Sequence, residues 1–291
     1  KKKMLKNSNL YCVGGYIRDE ILGIKNFDID YCYQGNAIEF ARKNFNVIKE
    51  NPAFGTVKVL TSDNQEIDIA STREERYPRK GHLPEVFNIG CSLEDDLKRR
   101  DFTINTLARC TKASEKIVDI FDGQGDIKAK KLRILHDNSF IDDPSRIIRG
   151  LKFSVRFDFE LEDKTQALQE RYLENINYDV SYHRLKKELV ETFSLNKQAA
   201  YEKFIEQKIY KLLGKDESAP DIRISIEKLI NETPCKHVWL VYLGLFDLSN
   251  FELTRQEKRI IEWSKRLRTE KHTNNTPVES LLLNKLYFSA I

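Results

Sequence analysis

Asp28 and Asp30 lie in a run where Phe27, Ile29, Tyr31 and Tyr33 take every second position. That is the strand period, so both carboxylates point the same way, opposite the apolar side chains. Carboxylates at i and i+2 on one strand face are a few ångströms apart, and like charges that close repel unless a cation lies between them. A divalent ion meets that need, and hard oxygen ligands suit Mg²⁺, which keeps positions open for water and for substrate phosphates. Upstream, Gly14-Gly15 precedes a helical stretch that contains Arg18 and Asp19. Paired glycines let backbone N–H groups approach an anion, and the helix start and Arg18 favour negative charge, so a triphosphate fits between the two halves. Asp68, between Ile67 and Ile69 on a second strand-like run, is a third carboxylate turned from the apolar face. Each part has an ordinary reading as well: a turn for Gly-Gly, a solvent face for Asp-x-Asp, an outward strand residue for Asp68. All of them in this order are more specific than any one.

Several elements must position these groups. A helix up to Leu22 is closed by Gly23, and helical spacing returns over residues 37–45. Residues 56–60 and 66–70 read as two strands joined by a turn at Ser62-Asp63-Asn64. Residues 73–90 are charged and broken by Pro78, Gly81 and Pro84, which predicts a long loop, and loops of that length in compact domains are usually functional or disordered. The pattern then predicts a helix over 93–109 and one more strand at 117–121. From Pro144 strand signals nearly vanish, and helices are expected over 144–155, 164–173, 181–193, 199–213, 222–230, 238–246, 255–267 and 278–286. An α/β head of about 140 residues followed by an all-helical remainder is the expected architecture.

Composition sets outer bounds. With 40% hydrophobic and 32% charged residues spread along 291 positions, the chain reads as a soluble globular protein of one large or two ordinary domains. The longest apolar run, residues 238–246, is far short of the roughly 20 residues that cross a bilayer, so no membrane partner is expected. Lys1 to Lys3 are followed by Asn7, Ser8 and Asn9 rather than by an apolar segment, which makes a cytoplasmic location the expectation. Five dispersed cysteines offer neither a disulfide framework nor a zinc knuckle, and no histidine has metal-ligand spacing. The net charge is only +4, and the excess falls after Ser181. That helical region, with Lys186 and Lys187, is where weak attraction for phosphates is expected.

The ordered blocks resemble the class II tRNA nucleotidyltransferases, that is, the CCA-adding enzymes and their bacterial poly(A) polymerase relatives. The resemblance covers about residues 10 to 215. It rests on Gly14-Gly15-x-x-Arg18-Asp19 with Asp28-x-Asp30, Phe54-Gly55-Thr56-Val57, and Ile67-Asp68-Ile69-Ala70 with Arg73, Glu75 and Tyr77. It continues through Asp96-Leu97-Lys98-Arg99-Arg100-Asp101-Phe102-Thr103-Ile104-Asn105 to Asp142-Asp143-Pro144-x-Arg146-x-x-Arg149. The resemblance implies an α+β fold with a polymerase-β-like nucleotidyltransferase head over residues 1–140. It further implies a helical neck and body with a base-reading helix over 141–215, and a helical body and short tail that binds RNA over 216–291. It implies Asp28, Asp30 and Asp68 as catalytic carboxylates, with Mg²⁺ on Asp28 and Asp30. Nucleotide contacts are implied for Gly14, Gly15, Arg18, Arg100, Asp101, Asn105, Asp143, Arg146, Arg149 and Lys152. The implied reaction is template-independent addition of C and A to a tRNA 3′ end from CTP and ATP. The 3′-hydroxyl attacks the α-phosphate in line and pyrophosphate leaves, as at other two-metal sites.

The base-reading assignment also has its own chemistry. Cytosine and adenine present an amino donor beside a ring-nitrogen acceptor, whereas uracil and guanine present a carbonyl acceptor beside an N–H donor. One carboxylate and one guanidinium three residues apart on a helix face complement the first pair and oppose the second. Asp143 before Pro144 can equally be a helix cap, with proline at the first helical position.

Three departures from the family concern substrate grip rather than chemistry: Asp142 stands where Glu is usual, Lys152 where a further Arg often lies, and residues 181–188 replace a more Glu-rich helix start. Narrower activities within the family are CC addition, A addition or poly(A) synthesis. The presence of the 73–90 segment favours competence for the A step, because CC-only members are thought to lack a working loop, and Phe54-Gly55-Thr56-Val57 looks more like the CCA enzymes. A catalytically silent RNA-binding relative is disfavoured by the intact aspartates, which repel one another to no purpose without a metal. Oligomeric state leaves no mark in the sequence.

Overall fold

The computed structural model describes residues 6–26, 29–112, 116–214, 218–270 and 273–290. The chain divides into two compact units. The first comprises Lys1–Arg79, Leu83–Asp142 and Glu160–Thr165, and the second Lys80–His82, Asp143–Phe159 and Gln166–Ile291.

The first unit is built on a sheet of β1 (Leu10–Val13), β2 (Asp30–Tyr33), β3 (Asn46–Asn51), β4 (Thr56–Leu60), β5 (Glu66–Ser71), β8 (Ala108–Cys110) and β9 (Ile117–Val118). A charged hairpin of β6 (Arg73–Arg76) and β7 (Glu85–Ile89) and a small parallel pair, β10 (Lys131–Leu132) with β11 (Glu160–Leu161), complete its strands among the described residues. The sheet order is β3-β4-β5-β2-β1-β8-β9, antiparallel except between β2 and β5. Its helices are α1 (Gly15–Ile21), α2 (Ala37–Asn44), α3 (Leu93–Lys98), α4 (Gly123–Ala129) and the short α5 (Ser139–Asp142). Alternation along the strands divides the apolar residues between two faces. Leu10, Val57, Val59 and Ile69 pack with Ala37, Ile38 and Ala41 of α2. Val13, Cys32 and Ala108 pack with Leu93 and Leu97 of α3 on the other face.

The second unit is helical. It contains α6 (Ser145–Phe157), most of α7 (Asp163–Glu174), α8 (Tyr182–Phe193), α9 (Gln198–Glu206), α10 (Ile226–Glu232), α11 (Val238–Leu243), α12 (Arg255–Arg266) and α13 (Val278–Ala290). Phe193 is its centre: its ring lies 5.3 Å from Phe204 of α9 and 5.3 Å from Tyr242 of α11, all fully buried. Burying one such ring is worth about 1.5–3 kcal/mol, so these contacts bind three helices together.

Two expectations fail here. Residues 93–109 do not form one helix: α3 ends at Lys98, a 3₁₀ turn covers Thr103–Asn105, and Ala108–Cys110 is a strand. The chain leaves the helix to bury Phe102, which bridges to Ile134 in extended conformation while Thr103 N donates to Arg133 O at 2.9 Å. Residues 73–90 are not an irregular loop either, because Arg73, Glu74, Glu75 and Arg76 pair with Ile89, Asn88, Val86 and Glu85. Cross-strand charge pairing, such as Arg76 to Glu85 at 3.2 Å, replaces the apolar alternation that marks most strands. Pro78, Gly81 and Pro84 fall between the two strands.

Candidate active site

The carboxylates are placed by strand register. In the parallel pairing of β2 with β5, Asp30 lies directly beside Asp68. In the antiparallel pairing of β4 with β5, Lys58 lies beside Asp68 on its other side. Asp30, Asp68 and Lys58 therefore form one row across three strands, on the sheet face opposite Ile67, Ile69, Val57 and Val59. Asp30 and Asp68 are both exposed, and Lys58 Nζ is 3.1 Å from Asp68 Oδ2 and 3.7 Å from Glu66 Oε2. The bond to Asp68 lifts the Lys58 ammonium above its ordinary pKa, so it stays charged. Asp28, the other half of the Asp-x-Asp pair, lies outside the described residues.

The glycine turn sits between β1 and α1. Gly14 has φ 69° and ψ −130°, a conformation closed to side-chain-bearing residues, and a Cβ there would stand 3.0 Å from Arg100 Nη1. Arg18, expected against a triphosphate, is buried. Its Nε and Nη2 donate to Asp19 Oδ1 at 2.8 and 2.7 Å, and its Nη1 donates to Asn105 Oδ1 at 2.5 Å. Asn105 donates in turn to Asp101 Oδ1 at 2.9 Å, and Asn26 donates to Asp19 Oδ2 at 2.8 Å. Arg18, Asp19, Asp101 and Asn105 thus brace the turn from behind. Arg100 stands at the turn itself, bonded to Asn105 O and Asp96 Oδ2, with its buried Nε unpartnered among the described residues. A buried donor without a partner beside a glycine turn is where an anion would be accepted.

Asp96, quoted above only within a motif, organises this corner. It is fully buried and accepts from Arg73 N at 3.1 Å, Arg99 Nη2 at 2.8 Å and Arg100 Nη2 at 3.2 Å. Burial alone would raise its carboxyl, but Arg100 and Arg99, with bonds from Arg99 and the Arg73 amide, more than offset that and hold it below its ordinary value. Burial, with Asp96 adding to it, pushes the neighbouring Cys32 thiol up to about 12, so this thiol is inert packing. The spacing Asp96, Arg99, Arg100 at i, i+3 and i+4 was the available signal for this role. For Lys58 the signal was its place between Val57 and Val59, which puts it on the carboxylate face.

In the second unit, Asp143 is buried and uses both oxygens. Oδ1 accepts from Ser145 N at 3.2 Å and Ser145 Oγ at 2.5 Å, and Oδ2 accepts from Arg184 Nη2 at 2.5 Å. One oxygen therefore ties down the start of α6, while the other faces guanidinium groups, with Arg146 Nε 3.9 Å away. Arg184 also donates to His82 O at 2.9 Å, and Gly81 O accepts from Ser181 N at 2.9 Å, so the 80–82 tip rests on the start of α8. Arg149 and Lys152 share a different carboxylate, Glu188, at 3.3 and 2.7 Å, and Lys152 also reaches Glu191 at 2.6 Å. Arg184 and Glu188 were missed because their partners lie some forty residues away along the chain. Lys186, expected to face phosphates, is held by Glu257 Oε2 at 2.7 Å and Glu252 O at 2.8 Å, over the Trp239 ring.

Hard carboxylate oxygens side by side on an open sheet face fit Mg²⁺, which is commonly held by one or two carboxylates together with substrate phosphates. Among the described residues, Asp30 and Asp68 do not complete a cluster of three or more ligands. No described helix is long and apolar enough to cross a membrane.

Residues 10–133 match the poly A polymerase head domain family. Over 166 residues the chain is 38% identical to the A-adding tRNA nucleotidyltransferase of Halalkalibacterium halodurans, a match covering 55% of this chain and 38% of that protein. It is 34% identical over 164 residues to the CCA-adding enzyme of Latilactobacillus sakei, covering 56% of this chain and 41% of that enzyme. The chain thus spans about two fifths of the length of these relatives. A solved CCA-adding enzyme without ligand superposes with a TM-score of 0.79 at 26% identity, covering 96% of this chain and 75% of that one. With its polymerase-β-like sheet and its glycine turn, the first unit carries the match to the poly A polymerase head domain family, and the chain is similar to the CCA-adding and A-adding tRNA nucleotidyltransferases.

Proposed function

We propose that this protein transfers AMP from ATP to the 3′ end of tRNA without a nucleic-acid template. The observation that carries the reading is the row of Asp30 and Asp68 on an exposed sheet face, in a head of this family. Asp30, with Asp28 from the sequence pattern, would hold Mg²⁺. When bound, the ion supplies Lewis-acid stabilisation of charge on the phosphoryl oxygens. Asp68 lies beside Asp30, placed to orient or deprotonate the 3′-hydroxyl and near enough to share the ion, for which Lys58 competes at one of its oxygens. Gly14, Gly15 and Arg100 receive the triphosphate, and Arg18, Asp101 and Asn105 hold that turn in shape. Asp143 and Arg146 read the base edge, with Arg184 setting the carboxylate's orientation and Arg149 and Lys152 supporting the helix through Glu188. The A step is put first because both classes of relative perform it by name and because the 73–90 segment is a formed hairpin. The division of the helical part at residue 215 into neck with body and RNA-binding tail belongs to the same proposal, as does a cytoplasmic site of action.

A second reading, addition of both C and A from CTP and ATP, is favoured by the CCA-adding relative and by a carboxylate–guanidinium pair that suits both bases. Incubating the protein with tRNAs ending before C, after C and after CC, each with one nucleoside triphosphate, decides between them. Extension of the CC-ended tRNA alone, with ATP alone, is the expected result for A addition. Extension of the shorter tRNAs by CTP establishes the second reading, and no extension of any tRNA rejects both.

A further inference from the structure

One side chain outside both motifs joins the metal-side strand to the glycine turn. Between the end of α1 and Asp30, the first residue of β2, the chain is fastened twice to the same residue. Ile24 N donates to Asp19 O at 2.8 Å, and the half-buried Asn26 donates from Nδ2 to Asp19 Oδ2 at 2.8 Å. Asp19 is fully buried, and its other oxygen accepts from Arg18 Nε and Nη2. Arg18 Nη1 donates to Asn105 Oδ1, and the backbone oxygen of Asn105 accepts from Arg100 Nη1 at 3.4 Å. A continuous line of hydrogen bonds therefore runs from Asn26, four positions before Asp30, to the guanidinium that stands 3.0 Å from where a Gly14 Cβ would be.

The line matters because of reach. Successive Cα atoms lie about 3.8 Å apart, and only residues 27–29 separate Asn26 from Asp30, so fixing Asn26 confines where β2 begins. Asp30 also sits at the open end of its strand: pairing with β5 begins at Asp30, and pairing with β1 begins one residue later, at Tyr31. An anchor just upstream therefore acts most strongly on the carboxylate that the proposed chemistry needs held still. The anchor is firm, since a hydrogen bond to a carboxylate is stronger than one between neutral groups, and a buried oxygen that loses its donor keeps the cost of its desolvation. Arg18 already meets the negative charge of Asp19, so a neutral amide completes Oδ2 without adding a second cation. We propose that Asn26 is a positioning residue: by tying the approach to β2 onto Asp19, it sets Asp30 at a fixed place relative to the glycine turn. The proposal rests on the metal and triphosphate roles given above for Asp30 and the turn, and adds what keeps the two in register.

The test uses the full chain and three variants, each studied well below its melting midpoint. Asn26→Ala removes the donor, Asn26→Asp keeps the shape but sets a carboxylate against Asp19 Oδ2, and Asn26→Gln keeps an amide donor on a longer arm. Mn²⁺ stands in for Mg²⁺, because its electron paramagnetic resonance signal counts the free ion without nucleotide or turnover. Asn26→Ala should weaken Mn²⁺ binding about tenfold and lower AMP incorporation at saturating Mg²⁺, tRNA and ATP by roughly 10- to 100-fold, the usual cost of losing a group that orients a metal ligand. Asn26→Asp should lose more, and Asn26→Gln should fall between Asn26→Ala and the parent. ATP binding in the presence of EDTA should stay within about twofold of the parent's, because Arg18 and Asn105 still brace the turn. An Asn26→Ala protein that melts earlier but binds Mn²⁺ and incorporates AMP as the parent does makes Asn26 a loop staple only and overturns the proposal. Equal loss of metal-free ATP binding and of Mn²⁺ binding also overturns it, since the damage is then not confined to the metal side, and so do equal losses in all three variants, since the donor is then not what matters. Asp30→Ala is the control on the underlying reading. If that variant binds Mn²⁺ as tightly as the parent, the metal role of Asp30 itself fails, a result distinct from an unaltered Asn26→Ala beside a defective Asp30→Ala.

Discussion

The carboxylates of the first unit and the carboxylate at the head of α6 are handled in opposite ways. Asp30 and Asp68 stand exposed beside one another on an open sheet face, and Asp68 pairs with the half-exposed Lys58 where solvent screens the contact. Asp143 is buried, and each of its oxygens is committed to a donor. The difference separates two tasks. In the proposed roles, binding a metal and a polyphosphate calls for carboxylates that solvent and ligand can reach, whereas discriminating between bases calls for a group whose direction is fixed beforehand. On that proposal one residue type would serve both tasks because its surroundings differ.

The comparison can be broken most sharply on the exposed side. Asp30→Ala should lower AMP incorporation by on the order of 10³-fold, about 4 kcal/mol of barrier, with tRNA affinity and melting behaviour nearly unchanged. Single-turnover kinetics beside a thermal melt measure both, and retention of a rate within about tenfold of the parent would remove Asp30 from the reaction.

Asp96 tests whether the buried network is what holds Arg100 at the glycine turn. Asp96→Asn removes the carboxylate bonded to Arg100 and leaves Arg99 to Glu75, 2.9 Å away, and should cost roughly 3 kcal/mol of stability, as breaking a buried ion pair does. The pH dependence has a definite sign. Because the folded-state pKa is depressed, the carboxylate's contribution is complete above the ordinary value of 3.8 and is lost as pH falls from there through the folded value. Urea unfolding at a series of pH values should show that acid loss in the parent and a smaller one in Asp96→Asn. Equal acid slopes would mean that the charge on Asp96 is not what stabilises the corner.

Asp143→Ala sharpens the recognition half. It should reduce incorporation and narrow A-over-G discrimination, and C-over-U where C is taken, by roughly 10- to 100-fold, the kinetic equivalent of about 1 to 3 kcal/mol for an unpaired buried group. Losing the tie to Ser145 should also cost about 0.5 to 2 kcal/mol of stability. Destabilisation with unaltered base ratios would leave Asp143 as a helix anchor only. Arg184→Lys, which keeps the charge but not the forked geometry, should shift the base ratios in the same direction by less.

The smallest effect is expected at Lys58. Its pair with Asp68 is exposed and screened, so Lys58→Met should leave the melting midpoint within experimental scatter while lowering the Mg²⁺ concentration needed for half-maximal rate, because a competing cation is gone. A higher Mg²⁺ requirement would show that Lys58 positions Asp68 rather than competing for it.

Local patterns were legible and distant pairings were not. The alternation around Asp30 and Asp68 gave their common exclusion from the apolar face, and helical spacing gave most of the second unit. That Asp30 and Asp68 are neighbours follows from a parallel pairing of strands 38 positions apart, which periodicity does not encode. Arg73 to Arg76 read as loop because a strand made of Arg and Glu has no apolar alternation, and β1 is only four residues long, too short for a period to declare itself. The helix expected over 93–109 failed because Phe102 and Thr103 pair with Ile134 and Arg133, a tertiary cause acting against local propensity. Arg18 was expected to favour a triphosphate, and its bonds to Asp19 and Asn105, the latter 87 positions away, could not be read from its neighbourhood in sequence.

The one parallel pairing in the main sheet also makes activity a report on folding fidelity. Side chains alternate along a strand, so a slip of β5 by a single residue against β2 would set Ile67 or Ile69 beside Asp30 and turn Asp68 into the layer packed on α2. Such a chain would bury a carboxylate among aliphatic side chains at a cost of several kcal/mol. A misthreaded molecule would therefore be both inactive and short-lived, and the specific activity of a refolded sample counts the molecules that have found the right thread.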